Sequence, residues 1–558
     1  MTNKHNENKL YNILLLMISL FFIEIIVYLS RNAAFFGDDL SYGLYSRGIF
    51  DMFLLSENSS LSKIHGGGYL CLFLTGFFNF HLPNMLNMHP SDFISAPHGV
   101  IKGVFYCLIV FSIINFSQVY KKSKLVYILL FSYVFLYSIS VIININSFVI
   151  STNHAFYRYL LPLVFFSFFW SYIYKNIIFF NIKQSNIKLI SASICGLIIG
   201  TSIEILFGVS ILLSLFIIVW NLFHIKSPKI YRYNLNKNFY IPISCLYAGV
   251  IAFTSSEGFK SVANVRGMGH ISLNLSDIKE FCTIFFQMYI ADYIIIWVLF
   301  IVCAVVAVLL SGRKRYNLKK VIFPLIMQFS ITVIIFSLIL CGKTYYEEGK
   351  FWLAHPNIQA LYSIIILYGL LMLYSFAARY FSFFIKDKKI ITAAAIILFT
   401  LAAGYTIFDI YKKLPSSYCY NNDGLMAIAK RNNYIAEKIF RFYYLQNKIP
   451  VLPIELNNWQ NPLPDYSLWY RDCKITQENC CEESIFNLNY YPRVYEHENA
   501  KTVKYCFSKT GWDDYFKQGG KLGTRELKNI RFGNLYDKDF VKGKKTYFDL
   551  YRTIIISD

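Results

Sequence analysis

Ile198-Ile199-Gly200-Thr201-Ser202-Ile203-Glu204-Ile205-Leu206 stands inside a 35-residue apolar stretch that runs from Leu189 to Phe223. A single helix of that length would be about 52 Å long, against a bilayer core of about 30 Å. Two shorter helices meeting near Thr201-Ser202-Ile203-Glu204 fit the core, and the break places Glu204 at a membrane surface. The choice fixes every span that follows. Read as one helix, the stretch inverts all downstream loops; read as two, the loops fall into a regular order of charge.

Working outward, further apolar runs lie at Tyr11 to Ser30 and near 103–120, 125–143, 157–174, 189–203, 205–223, 238–254, 291–310, 321–340, 358–378 and 390–411. With the N-terminus in the cytoplasm, the inside loops carry Lys121, Lys122 and Lys124; Lys175, Lys183 and Lys188; Lys226, Lys229, Arg232 and Lys237. The next two carry Arg313, Lys314, Arg315, Lys319 and Lys320, then Arg379, Lys386, Lys388 and Lys389. Every inside loop is basic and the outside loops are mixed or nearly uncharged, as the positive-inside rule requires. The first run is long for a signal peptide and lacks a convincing small-residue cleavage site, so it reads as a retained helix. The expected fold is an all-α polytopic membrane bundle of about eleven transmembrane helices over 1–411. An odd number of spans sends 412–558 outside as a small domain, α/β or irregular.

Composition agrees. Hydrophobic residues make up 56% of the 558 and charged residues 16%, and the mean hydropathy is +0.42. A soluble chain would use more charge. The net charge of +21 sits between apolar runs and in the tail, with no basic stripe to track a phosphate backbone. Nucleic acid is therefore excluded as a partner.

The tail holds Cys419, Cys473, Cys480, Cys481 and Cys506. In an oxidising compartment this number allows one or two disulfides and leaves a thiol over, with connectivity open. The spacing around Cys480-Cys481 does not match a zinc ribbon. Trp459, Trp469 and Trp512 read either as sugar-stacking faces or as core residues of a small domain.

The first outer loop, 31–102, is long enough to be functional. It opens with Phe36-Gly37-Asp38-Asp39-Leu40-Ser41-Tyr42. Adjacent carboxylates just past a membrane helix suit a general base, or a base with an orienting or metal-binding partner; an N-cap is the equal alternative. Ile64-His65-Gly66-Gly67-Gly68-Tyr69 lets backbone approach a ligand or simply links helices. Leu70 to Phe80 is apolar but too short to span, so it lies in the interface or re-enters. From Leu82 to His98 the chain reads as a loop, with His89, Asp92 and His98 in solvent. His154 and Arg158 flank the outer end of the fourth span, where Arg158 reaches lipid headgroups. Lys260, Arg266 and His270, between Ser255 and His270, suit phosphate. The last outer loop offers Lys343, Glu347, Glu348, Lys350 and His355, about half of them ordinary solvated charges.

Three segments together resemble the GT-C class of membrane glycosyltransferases, and more narrowly the bacterial O-antigen glucosyltransferases of the serotype-converting type. They are Phe36 to Tyr42 with the Gly-rich turn, Gly200 to Glu204, and Asn264-Val265-Arg266. The resemblance implies transfer of a sugar, a hexose such as glucose, from a polyprenyl-phosphate carrier to a lipid-linked or surface glycan on the outer face of the inner membrane. It makes Asp38 or Asp39 the base, has Glu204 orient the acceptor or the acidic pair, and puts Lys260 and Arg266 on the phosphate. His65 and Tyr42 join the substrate-binding set. It fixes no cofactor, and a divalent metal ion at the acidic pair stays open. A flippase or transporter, an O-antigen polymerase and a non-catalytic assembly protein are the rivals. A transporter would carry charge within several spans.

Overall fold

The computed structural model describes residues 2–34, 68–86, 88, 93–117, 124–178, 185–223, 235–256, 293–310, 388–417, 419–420 and 430. It adds helical positions scattered between 357 and 371 and five strands within 451–557. The helices are α1 (Thr2–Ser30), α2 (Gly68–Gly76), α3 (Leu82–Met85), α4 (Ala96–Ser117), α5 (Lys124–Asn144) and α6 (Asn153–Ala155). Then follow α7 (Pro162–Ile178), α8 (Asn186–Gly200), α9 (Glu204–Phe223), α10 (Lys237–Thr254), α11 (Ile294–Leu310) and α12 (Lys388–Lys413). Two π turns, Phe77–His81 and Phe156–Leu160, join α2 to α3 and α6 to α7.

The protein is a helical membrane bundle. Among the described residues, six helices are long and apolar enough to cross a bilayer, and Asn186–Gly200 and Ile294–Ala307 are shorter apolar helices. The chain breaks at Thr201–Ile203 between α8 and α9, where the sequence pattern places it. The expected span over 321–340 and most of that over 358–378 lie outside the described residues.

At the centre stands α5, whose residues from Ile128 to Ile143 are all buried. Phe22 of α1 stacks on Phe135 at 3.8 Å between ring centroids, and Tyr106 of α4 donates to Ser138 Oγ at 2.6 Å. On the far side, Tyr137 meets Trp297 and Tyr133 meets Phe300, both on α11. Ser138 in turn closes back on its own helix, donating to the carbonyls of Val134 and Phe135, so its hydroxyl is satisfied inside the bundle. By contrast α1 exposes Leu10, Leu16 and Met17, and α12 exposes Ile390, Leu401 and Phe408. Those faces suit lipid.

Two close crossings rest on glycines four apart. In α4, a Cβ on Gly99 would lie 3.2 Å from Val27 Cα, and one on Gly103 would lie 3.1 Å from Ile23 Cα, both on α1. In α8, Gly196 and Gly200 let the backbone of α10 approach at Pro242, Leu246 and Gly249. Small residues at this spacing drive packing where lipid removes the hydrophobic effect between helices.

Five short strands follow: β1 (Val451–Ile454), β2 (Cys480–Ser484), β3 (Thr502–Phe507), β4 (Ile530–Asn534) and β5 (Thr553–Ser557). One sheet runs β1-β3-β2, with β1 parallel and β2 antiparallel to β3, and β4 pairs antiparallel with β5. Pro453 is tolerated in β1 because that strand is an edge.

Candidate functional site

Ala96-Pro97-His98-Gly99-Val100-Ile101-Lys102-Gly103 opens α4. The helix starts seven residues before the expected 103. Four-residue spacing sets His98 and Lys102 on one face, with Gly99 and Gly103 on the face toward α1. Both His98 and Lys102 are fully buried. The solvent position expected for His98 is therefore wrong: neighbouring hydrogen-bonding groups let these polar side chains go inside.

Lys102 Nζ donates to Ile150 O at 2.7 Å and lies 6.0 Å from the Phe156 ring centroid. His98 Nε2 and Tyr157 Oη are 2.5 Å apart. The imidazole packs between Phe78 at 5.0 Å and Phe93 at 5.7 Å. Asn153 Nδ2 donates to Asn79 Oδ1. The Asn153 side chain lies beside His98, and His98 Nδ1 and Asn153 Oδ1 are both buried without a hydrogen bond of standard geometry. The two are complementary. If Tyr157 donates its hydroxyl proton to Nε2, the neutral ring carries its own on Nδ1, the donor that Asn153 Oδ1 lacks. The result is a polar line, Tyr157–His98–Asn153–Asn79, across the interior of the bundle.

The two π turns face each other in this line, for Phe78 of one stacks on Tyr157 of the other at 5.4 Å. They share a cause. Pro83 and Pro162 each stand two residues beyond the π turn. Each proline removes the amide that would bond to the carbonyl four residues back, on Asn79 and Arg158 respectively. A widened turn absorbs the loss, and such turns are frequent at functional sites.

Cys71 Sγ, on α2, reaches His154 O at 3.6 Å, so the short apolar segment expected in the interface or re-entering is helical and packs Cys71 inward. Arg158 lies 3.5 Å from His154 Nε2 and 5.2 Å from the Tyr159 ring centroid. The guanidinium expected among headgroups thus has partners within the bundle.

A second set of contacts ties down the turn between α5 and α6. Asn146 adopts φ 52°, a left-handed conformation that asparagine tolerates. Its Oδ1 accepts from Ser417 Oγ at 2.6 Å, and its carbonyl accepts from Cys419 Sγ at 3.0 Å. Tyr420 donates to Ser147 O, and Asn357 Oδ1 accepts from Ser147 Oγ and Phe148 N, each at 2.9 Å. Arg31 reaches Tyr420 O, Lys430 reaches Arg31 O, and Ala34 N donates to Ser151 O at 3.3 Å. Burial raises the Cys419 thiol well above its ordinary pKa. At pH 8 it therefore holds less thiolate than a free cysteine. Maleimide labelling of the folded protein is expected to leave Cys419 unmodified, with labelling appearing on denaturation; rapid labelling of the native protein would show that the turn opens.

Glu204 begins α9, half-buried, and its carboxylate makes no hydrogen bond or ion pair among the described residues. Among the described residues, no hydrogen bond or ion pair joins it to the His98–Lys102 cluster. Asp38, Asp39, Tyr42, His65, Lys260 and Arg266 lie outside the described residues, as do His89 and Asp92. Among the described residues, no group of three His, Cys, Asp or Glu could hold a metal ion. Sequence reasoning put His98 in solvent and gave no role to Lys102, Asn79 or Asn153. The readable signal was the pairing of His98 with Lys102 at helical spacing, in register with Gly99 and Gly103.

No family model matches the chain, and neither a curated protein nor a solved structure proves similar to it.

Proposed function

We propose that the chain is a membrane glycosyltransferase of the GT-C kind. In this reading it moves a hexose such as glucose from a polyprenyl-phosphate carrier to a surface glycan such as O-antigen, on the periplasmic face of a bacterial inner membrane. Eleven spans carry the N-terminus inside and 412–558 outside. One observation carries the reading. Ala34, the last described residue before Asp38, is tied to Ser151, the neighbour of the Ile150 carbonyl that accepts from buried Lys102. Four peptide units separate Ala34 from Asp38, a reach of at most about 14 Å. Chain length thus limits Asp38 to within about 14 Å of the Ala34 Cα, which supports a reading in which the acidic pair works beside the buried Lys102 cluster.

Asp38 or Asp39 takes the proton of the acceptor hydroxyl as it attacks the anomeric carbon. Arg266 and Lys260 hold the phosphate that leaves, Glu204 orients the acceptor or the acids, and His65 and Tyr42 contact substrate. A divalent ion on the acidic pair is compatible with this scheme.

The second reading is a lipid-linked glycan flippase, and Lys102 with His98 inside α4 is the observation that favours it, since buried ionisable groups in spans mark transport paths. Surface glycan from strains with and without the gene, and with an Asp38→Ala, Asp39→Ala double variant, separates the two. Loss of one hexose increment in both the deletion and the variant is the expected result. A full glycan in the variant but not in the deletion moves the assignment to transport.

A further inference from the structure

Beyond residue 411 the chain has five cysteines, and the structure removes one of them from any pairing. Cys419 is a free thiol, buried against the turn between α5 and α6, with its Sγ on the carbonyl of Asn146. An odd count leaves at least one thiol unpaired, and Cys419 is placed to be one. Four remain: Cys473, Cys480, Cys481 and Cys506. Two of these occupy opposed positions in one ladder, because β2 runs antiparallel to β3 with Cys480 directly across from Cys506.

We propose that Cys480 and Cys506 form a disulfide that staples β2 to β3. Directly opposed residues of an antiparallel pair have Cα atoms about 4.5–5.5 Å apart, inside the range of about 4.4–6.8 Å that a disulfide spans. The neighbouring candidate is one residue away and on the wrong face. Cys481 stands opposite Tyr505, and the two-residue period of a strand sets it on the face of the sheet opposite to Cys480 and Cys506. Cys473 lies outside the described residues and has no register position.

The link has a structural purpose. β3 is the central strand of the three, and β1 beside it carries Pro453 opposite Cys506, which cannot donate to the ladder. A covalent tie on the β2 side holds the centre of a small sheet from its other edge, the remedy that small domains on the oxidising side of a membrane adopt. In forming the bond the two thiols lose two protons and two electrons. The disulfide of an oxidised dithiol–disulfide oxidoreductase accepts both electrons and becomes a dithiol, by thiolate attack through a mixed disulfide.

The full-length protein, solubilised without reductant and alkylated before digestion, tests this directly. Trypsin cuts after Lys474, Arg493, Lys504 and Lys509, so Cys480 and Cys506 fall on peptides 475–493 and 505–509. The expected result is one linked species of these two peptides that disappears on reduction. It persists in Cys481→Ser and is lost in Cys480→Ser, where Cys506 becomes alkylated. If Cys480→Ser protein fails to accumulate, fragmentation of the wild-type linked species between Cys480 and Cys481 assigns the bond. The proposal is overturned by alkylated Cys506 in the wild-type protein, by a link that needs Cys481 instead, or by a link from Cys506 to the peptide bearing Cys473. None of these outcomes depends on the reaction proposed above.

Discussion

Gly200→Val is expected to leave little folded protein in the membrane, while Gly404→Ala in α12 leaves the yield unchanged or raises it. A Cβ at Gly200 would lie 2.8 Å from Val250 N and 2.9 Å from Gly249 Cα, and closer still to Leu246 O. All three obstacles belong to backbone, so no side-chain rotation relieves them. Overpacking of this kind costs about 1–3 kcal/mol for each site, and more where two helices must separate. Around Gly404 nothing lies within 4 Å of an added Cβ. There alanine restricts the backbone without a clash, a gain of about 0.5–1 kcal/mol in a helix. Thermal unfolding of the two variants in detergent checks the contrast. A Gly200→Val protein that melts with the wild type would mean that α8 and α10 do not cross closely.

The second large effect concerns His98. His98→Ala removes a buried ring from between Phe78 and Phe93 together with its bond to Tyr157, and is expected to cost about 3 kcal/mol or more. His98→Phe keeps the ring and loses only the hydrogen bonding, about 1–3 kcal/mol. The informative measurement is the double variant His98→Phe, Tyr157→Phe. When both partners of a buried hydrogen bond become apolar at constant shape, most of the loss is recovered. The double variant is therefore expected to melt above the sum of the two single losses, with a coupling of about 1 kcal/mol. Strict additivity would show that the 2.5 Å contact contributes nothing to the folded state.

These residues also mark what a linear reading of the chain can and cannot reach. The break at Thr201–Ile203 was legible because length decides it: a bilayer has one thickness, and 35 apolar residues exceed it. The central position of α5 was not, because hydropathy reports that a segment is apolar and not which neighbour covers it. The start of α4 was misplaced for a related reason. His98 and Lys102 look like loop residues to any scale that charges each polar group its full cost of leaving water. Their partners, Tyr157 and Ile150, come from a segment about fifty residues downstream. The glycine pairs were readable in principle, since Gly99 with Gly103 and Gly196 with Gly200 both show the small-residue spacing. The acidic pair and the basic residues of the proposed reaction lie outside the described residues, so the reaction rests on the sequence resemblance and on where Ala34 is held.

The contacts of Ser417, Cys419 and Tyr420 with Asn146 and Ser147 join positions 271 to 273 residues apart. A ribosome delivers them in order, and α5 with its following turn enters the membrane long before α12 exists. During that interval Asn146 and Ser147 have no access to these partners and must be satisfied by water or by the insertion machinery. The clasp closes only when α12 and the residues just after it are in place, so a nascent chain that stalls earlier displays a polar defect that the finished protein hides. Quality-control proteases that survey membrane helices would have a simple criterion for completeness here. A chain truncated before Ser417 should turn over faster than one ending after Tyr420, even though both keep α1 to α12.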